Sequence, residues 1–196
     1  MIIYKRVLFA GILGLMIVFV VGWFLSADLV EGDGTVEVTA TVGEVTCSVS
    51  VTSTAFGNLD LGTINTSTPD ILTTMACDAV PSGCTLYVKD TGSGSNPGLW
   101  NNSASYLVTS TDAALSAGTD GYGIQAATSS GTWTINSKYE VTGINVGGLT
   151  ITDTTYASSS SQLSTSTATT THKAAISSST TAGSYEDNIT YSCTAN

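Results

Sequence analysis

The residues able to do chemistry are few. A single histidine, His172, lies in the strand-like run HKAAI among threonines, and a lone imidazole there reads as a surface strand residue, not a general base. The paired carboxylates are Glu186 and Asp187, and neighbours on a strand point to opposite faces. They therefore do not flank a scissile bond as a glycosidase pair does, and they read as solubilising the start of a strand. Asp90 opens the loop DTGSGSNPG, whose Ser and Asn residues suggest calcium but lack the EF-hand spacing, so a solvated loop is expected. No G-x-S-x-G elbow, phosphate loop or H-x-x-x-H pair occurs. An intramolecular isopeptide bond would draw on Lys89, Lys138 or Lys173, and nothing in the sequence selects one. The chain reads as a non-enzyme with no cofactor and no metal.

What remains is cysteine and aromatic chemistry. Cys47, Cys77, Cys84 and Cys193 lack the close pairs of a four-Cys zinc site, and they follow an export-type N-terminus, so a disulfide framework is expected. Trp100, Trp133 and Tyr122, with Tyr106 and Tyr139 nearby, are the candidate ligand contacts, because exposed aromatic rings make a carbohydrate platform. Packing within the core is the competing role for the same rings.

Charge excludes one class of partner. The formal net charge is −10, and the cations after residue 27 are Lys89, Lys138 and Lys173 alone. Phosphate binding needs a basic surface, so nucleic acid is not a partner. Serine and threonine make up 59 of the 196 residues, a hydroxyl-rich composition suited to exported β-proteins.

The elements that would position these residues start with an apolar run. Lys5 and Arg6 precede residues 7–25, which carry no charge and as a helix span about 28 Å, enough for a hydrocarbon core. Residues 1–27 are a signal anchor or a cleaved signal peptide; Leu25 sits where cleavage after Ala27 would want a small residue, which favours the anchor. Uncleaved, residues 7–25 hold the chain on a membrane and leave the rest outside. Residues 28–34 are an acidic, glycine-containing linker, and residues 35–196 are expected to form one β domain.

Within that domain the apolar period is two. Residues 35–45 (TVEVTATVGEV) alternate, with Val36, Val38, Ala40 and Val42 on one face. Val49 and Val51 mark the next strand, ended by Phe56-Gly57, and residues 71–76 deliver Cys77. DAVPSG (78–83) is a turn, CTLYVK (84–89) a strand, and Leu99-Trp100 with 105–110 a short strand region. Residues 122–126 and 133–135 are expected to pair across a turn at 129–131. The Ser/Thr-rich stretch 158–171 is expected as an exposed loop, followed by strands at 172–176 and 185–193.

An alternating strand, a cysteine, a strand ending in Phe-Gly and a strand ending in a second cysteine together resemble the spore coat protein U and fimbrial-pilin families. Residues 182–191 (AGSYEDNITY) are similar to the Ala-Gly-x-Tyr-x-Asp-x-(Ile/Val)-Thr signature that opens the last strand of those families. The resemblance implies an immunoglobulin-like, antiparallel Greek-key β-sandwich, here preceded by one hydrophobic helix. It implies a Cys47–Cys77 bridge, which would close about thirty residues and contribute roughly 3 to 4 kcal/mol. It also implies that residues 35–45 act as a donor strand completing their own sandwich or a neighbour's. In a sandwich of this order all four cysteines arrive at one end, which favours Cys84–Cys193 as the second bridge. Cys77–Cys84 across the DAVPSG turn, with Cys47–Cys193, is the alternative.

The expected function is that of an extracytoplasmic structural or adhesive protein, anchored at the cell surface or secreted if cleaved, with self-association or envelope glycans as partners. The other reading is a carbohydrate- or receptor-binding module using the loops at 90–98 and 112–123 with Trp100.

Overall fold

The computed structural model describes residues 45–78, 80–91 and 96–196. The hydrophobic segment, the linker and residues 35–44 lie outside the described residues. No helix occurs among the described residues, and none is long and apolar enough to cross a membrane.

The strands in chain order are β1 (Thr46–Val49), β2 (Asn65–Thr66), β3 (Ile71–Cys77), β4 (Cys84–Asp90), β5 (Gly98–Asn101), β6 (Tyr106–Thr109) and β7 (Ala113–Ala114). They continue with β8 (Gly121–Ser130), β9 (Thr134–Ile135), β10 (Asn145–Val146), β11 (Thr154–Ser159), β12 (Leu163–Ala175) and β13 (Ile189–Ala195). One sheet is built on β12. Along one of its edges run β3 and then β2, with β1 outside β3, and along its other edge runs β8. The second sheet has the order β13-β4-β11-β9. All these pairings are antiparallel, and β5-β6 and β7-β10 form two small hairpin-like sheets.

The two main sheets share one apolar cluster, the arrangement of a β-sandwich. Strict alternation produces it: Ile71, Thr73, Met75 and Cys77 of β3 and Leu86 and Val88 of β4 point inward, with outward-facing residues between them. Four of the inward side chains of β12 are small, Ser166, Ala168, Thr170 and Ala174, and the opposite sheet fills the space with tyrosine. Tyr156 is fully buried between Trp133, Tyr139 and Tyr191, at centroid distances of 6.4, 5.8 and 5.5 Å. Its hydroxyl meets Thr170 Oγ1 at 2.6 Å, so the polar end it carries into the core is satisfied.

Four expectations are corrected here. The stretch 158–171 is not a loop but the end of β11 and most of β12, the central strand of its sheet. Its low complexity conceals a two-residue period in which inward Ser and Thr are hydrogen-bonded and the outward ones face solvent or neighbouring strands. The segments around Tyr122 and Trp133 do not pair with each other: β8 joins β12, whereas β9 crosses to the other sheet and pairs with β11. His172 is not on the surface, being 3% exposed on the inner face of β12.

The fourth correction concerns the disulfides. The bridges are Cys47–Cys193 and Cys77–Cys84, not Cys47–Cys77 and Cys84–Cys193. Cys47 stands opposite Met75, and Cys193 opposite Leu86, so each expected pair is a diagonal, two residues out of register within one sheet. Such diagonals are about 7–8 Å apart, too far for a disulfide, whose Cα atoms lie within about 7 Å. Across the sandwich the Cα separations are 6.1 Å for Cys47–Cys193 and 6.3 Å for Cys77–Cys84. Both bridges therefore join one sheet to the other at one end. Gly83 closes the short turn between Cys77 and Cys84 at φ +80°, and a Cβ there would collide with the Ser159 carbonyl.

Candidate functional site

At one margin of the sandwich two strand edges are unpaired among the described residues, that of β1 away from β3 and that of β13 away from β4. The Cys47–Cys193 bridge ties the two strands together at one end. Beyond it they diverge around a groove of about 1130 Å³.

One wall is the chain after β1. Ser50 is the last residue tied to β3, its N–H donating to the Leu72 carbonyl at 2.8 Å and its Oγ accepting from the Leu72 N–H at 2.9 Å. The chain then swings out to a single bridge between Ala55 and Thr68. Val49 and Val51, which alternation marks as a buried face, consequently line the groove, and Val49 is 38% exposed. Phe56 and Leu59 extend the apolar wall.

The other wall is the segment before β13. Gly183 has φ +148° and its α-carbon lies so close to the Asn101 side chain that a Cβ would overlap it. Tyr185 packs edge-on against Tyr106 at 6.4 Å and donates its hydroxyl to the Thr181 carbonyl at 2.6 Å. Glu186 exchanges backbone hydrogen bonds with Trp100 at 2.8 and 3.0 Å. That bridge fixes the alternation, so Glu186 points to solvent and Asp187 turns toward the groove.

Polar groups occupy the floor. The Tyr122 hydroxyl and His172 Nδ1 are 2.9 Å apart, with the two rings stacked at 6.1 Å. His172 Nε2 is buried and makes no hydrogen bond with the described residues. Burial pushes the imidazole down to about 4, against an opposing pull from the Asp70 carboxylate, so the ring is neutral at physiological pH. Asp90 is 1% exposed at the end of β4 and accepts from the Gly98 N–H at 2.7 Å. Both Asp187 carboxylate oxygens are buried and make no hydrogen bond with the described residues, and burial, reinforced by the Asp90 carboxyl group, raises the Asp187 carboxyl far above the usual range. Tyr122 is likewise raised, first by burial and then by Asp187.

This arrangement has the features of an extended-peptide site. It sets apolar side chains beside two strand edges that are unpaired among the described residues, the combination by which an added strand is held. Among the described residues, no three His, Cys, Asp or Glu side chains converge as a metal site requires. Comparison with protein-family models, with curated proteins and with solved structures returns no match.

The expected ligand contacts are scattered. Tyr122 lines the groove floor but is 1% exposed, Trp133 is 5% exposed and packs against Tyr156, and Trp100 is half-buried. They share no exposed face. The polar groove residues Tyr122, His172 and Asp187 come from β8, β12 and the approach to β13, so sequence reasoning does not group them. The one local signal was the alternation of His172 with inward-facing Thr170 and Ala174.

Proposed function

We propose that the chain is an extracytoplasmic structural or adhesive subunit of the cell surface, an immunoglobulin-like Greek-key sandwich of the spore coat protein U and fimbrial-pilin type. It assembles by lodging residues 35–45 of a neighbouring copy in the groove. The observation that carries this reading is the pair of strand edges, β1 and β13, unpaired among the described residues and flanking a groove with an apolar wall. Exposed edges invite strand addition, and covering them pairs their free N–H and C=O groups. Residues 35–45 fit chemically because they alternate Val36, Val38, Ala40 and Val42 with polar residues. They join β1 directly, Val45 preceding Thr46, so they are covalently continuous with one margin of the groove.

Residues 7–25 then serve as the membrane anchor, or are removed with a signal peptide if the subunit is secreted. Two disulfides joining the sheets accord with an oxidising, extracytoplasmic compartment. The subunit acts without catalysis. A glycan- or receptor-binding role would rest on Trp100 and its flanking loops, and the burial of Trp133 and Tyr122 weighs against it.

Deletion of residues 35–45 from the full chain tests the proposal. Assemblies extracted from native membranes should fall to monomers with a lower melting temperature, and a synthetic peptide of residues 35–45 should restore the melting temperature. A deletion variant with unchanged size and unchanged melting overturns it.

A further inference from the structure

We infer that Asn188 is a site of N-linked glycosylation, carrying a sugar chain on the solvent side of the approach to β13. The inference rests on the extracytoplasmic location proposed above and leaves the groove reading as it stands.

The sequence contains three Asn-x-Ser/Thr triplets, Asn65-Thr66-Ser67, Asn101-Asn102-Ser103 and Asn188-Ile189-Thr190. In a chain so rich in serine and threonine the triplet alone selects none of them. A glycosyl transferase reads two groups, the asparagine amide and the hydroxyl two residues later, so both must be within its reach.

Two of the triplets fail on that ground. Asn101 is 1% exposed on β5, its Oδ1 accepts from the Ala104 N–H at 3.1 Å, and its amide nitrogen lies against Gly183. A sugar chain on that nitrogen has no room in the folded sandwich, whether it is added before or after folding. Asn65 is half-buried and its Nδ2 donates to the Asp60 and Thr63 carbonyls at 3.3 and 3.5 Å. The hydroxyl of its triplet belongs to Ser67, which is 1% exposed.

The third meets both requirements. Asn188 and Thr190 are both exposed, and residues two apart on an extended chain share a face. Asp187 and Ile189, which alternate with them, are half-buried. The backbone holds this presentation in place: the Asn188 carbonyl accepts from the Thr91 N–H at 2.8 Å, and Thr190 stands opposite Lys89 of β4. Asn188 stands at the rim of the groove, and its alternation with Asp187 directs a sugar chain outward, away from the floor.

The chemistry needs one co-reactant, a glycan carried on a lipid phosphate or pyrophosphate. Asn188 Nδ2 attacks the anomeric carbon. A C–N bond forms as the bond from that carbon to the phosphate oxygen breaks, the lipid phosphate leaves with the electron pair, and Nδ2 gives up one proton. The product sets a bulky, hydrated group beside the edge of β13 that is unpaired among the described residues. There it shields the outer side of that edge from casual strand pairing while the groove side stays open.

The test is peptide mass spectrometry on the full chain recovered from the membrane and medium fractions of its own cells. Reduction and trypsin, cutting after Lys173, release residues 174–196, in which Asn188-Ile189-Thr190 is the one such triplet. The expected result is a peptide heavier by a whole number of sugar residues, with electron-transfer fragmentation placing the added mass on Asn188. Thr190→Ala should abolish the added mass although Asn188 is kept, and Thr190→Ser should retain it; Asn188→Gln gives the same loss if Thr190→Ala folds poorly. A peptide of unmodified mass from disulfide-bonded protein in those fractions overturns the glycosylation and leaves the extracytoplasmic reading intact, as does added mass found only on Ser or Thr, or only on Asn65 or Asn101. Protein found solely in the cytoplasm with free thiols and unmodified Asn188 overturns both.

Discussion

At the scale of single residues, burial shifts the titration of two side chains in opposite directions. His172 is held neutral and Asp187 is held protonated, and these preferences pull stability in opposite directions with pH. His172 has its pKa lowered from 6.5 to about 4, so the stability it lends is complete above 6.5 and is lost as pH falls toward 4. Asp187 has its pKa raised from 3.8 to about 8, so its contribution is complete below 3.8 and is lost as pH rises toward 8. Between pH 6.5 and 8 the Asp187 effect stands apart from that of His172. Melting temperature should therefore decline across that window, and Asp187→Asn should flatten the decline. A wild-type melting temperature that rises from pH 6.5 to 8 would contradict the assignment.

At the scale of elements, β12 shows how a polar strand becomes a central one. Its inward positions are small, which lets Tyr156 reach across the sandwich to Thr170 and lets His172 stand beside Tyr122. Thr73 joins in, its hydroxyl donating to the Ala168 carbonyl at 3.2 Å. The hydroxyl at Thr170 matters more than its bulk. Thr170→Val keeps the shape and strands the buried Tyr156 hydroxyl, which should cost about 1–3 kcal/mol in urea unfolding. Thr169→Val, on the outer face where the Thr169 hydroxyl meets Ser129 Oγ at 2.6 Å in an exposed pair, should cost well under half as much. Equal losses would show that β12 is held by strand propensity and not by its inward hydrogen bonds. Strand β12 was hidden in the sequence because composition outweighed period: the run STSTATTTHK looks like a flexible surface, and its alternation becomes meaningful only with a tyrosine-bearing sheet opposite.

At the scale of the whole molecule, the two bridges do unequal work. Cys47–Cys193 spans 146 positions and Cys77–Cys84 spans 7, so loop-closure entropy gives about 5 kcal/mol for the first and about 2 kcal/mol for the second. Replacing Cys47 and Cys193 by alanine should lower the unfolding free energy about twice as much as replacing Cys77 and Cys84, and it should also loosen the closed end of the groove. Non-reducing peptide mapping should recover residue 47 with 193 and residue 77 with 84; recovery of 47 with 77 would contradict the arrangement. By itself the sequence determined the all-β character of the described residues, the strands β3 and β4 nearly to their ends, and the pairing of the four cysteines as disulfides. These follow from local causes, a period of two and the chemistry of thiols. Only the tertiary structure decided which cysteines meet, that His172 is buried and Asp187 half-buried, and which two strand edges are unpaired among the described residues. Each of those depends on which strands face one another across the core, and residues tens of positions apart carry no local sign of that.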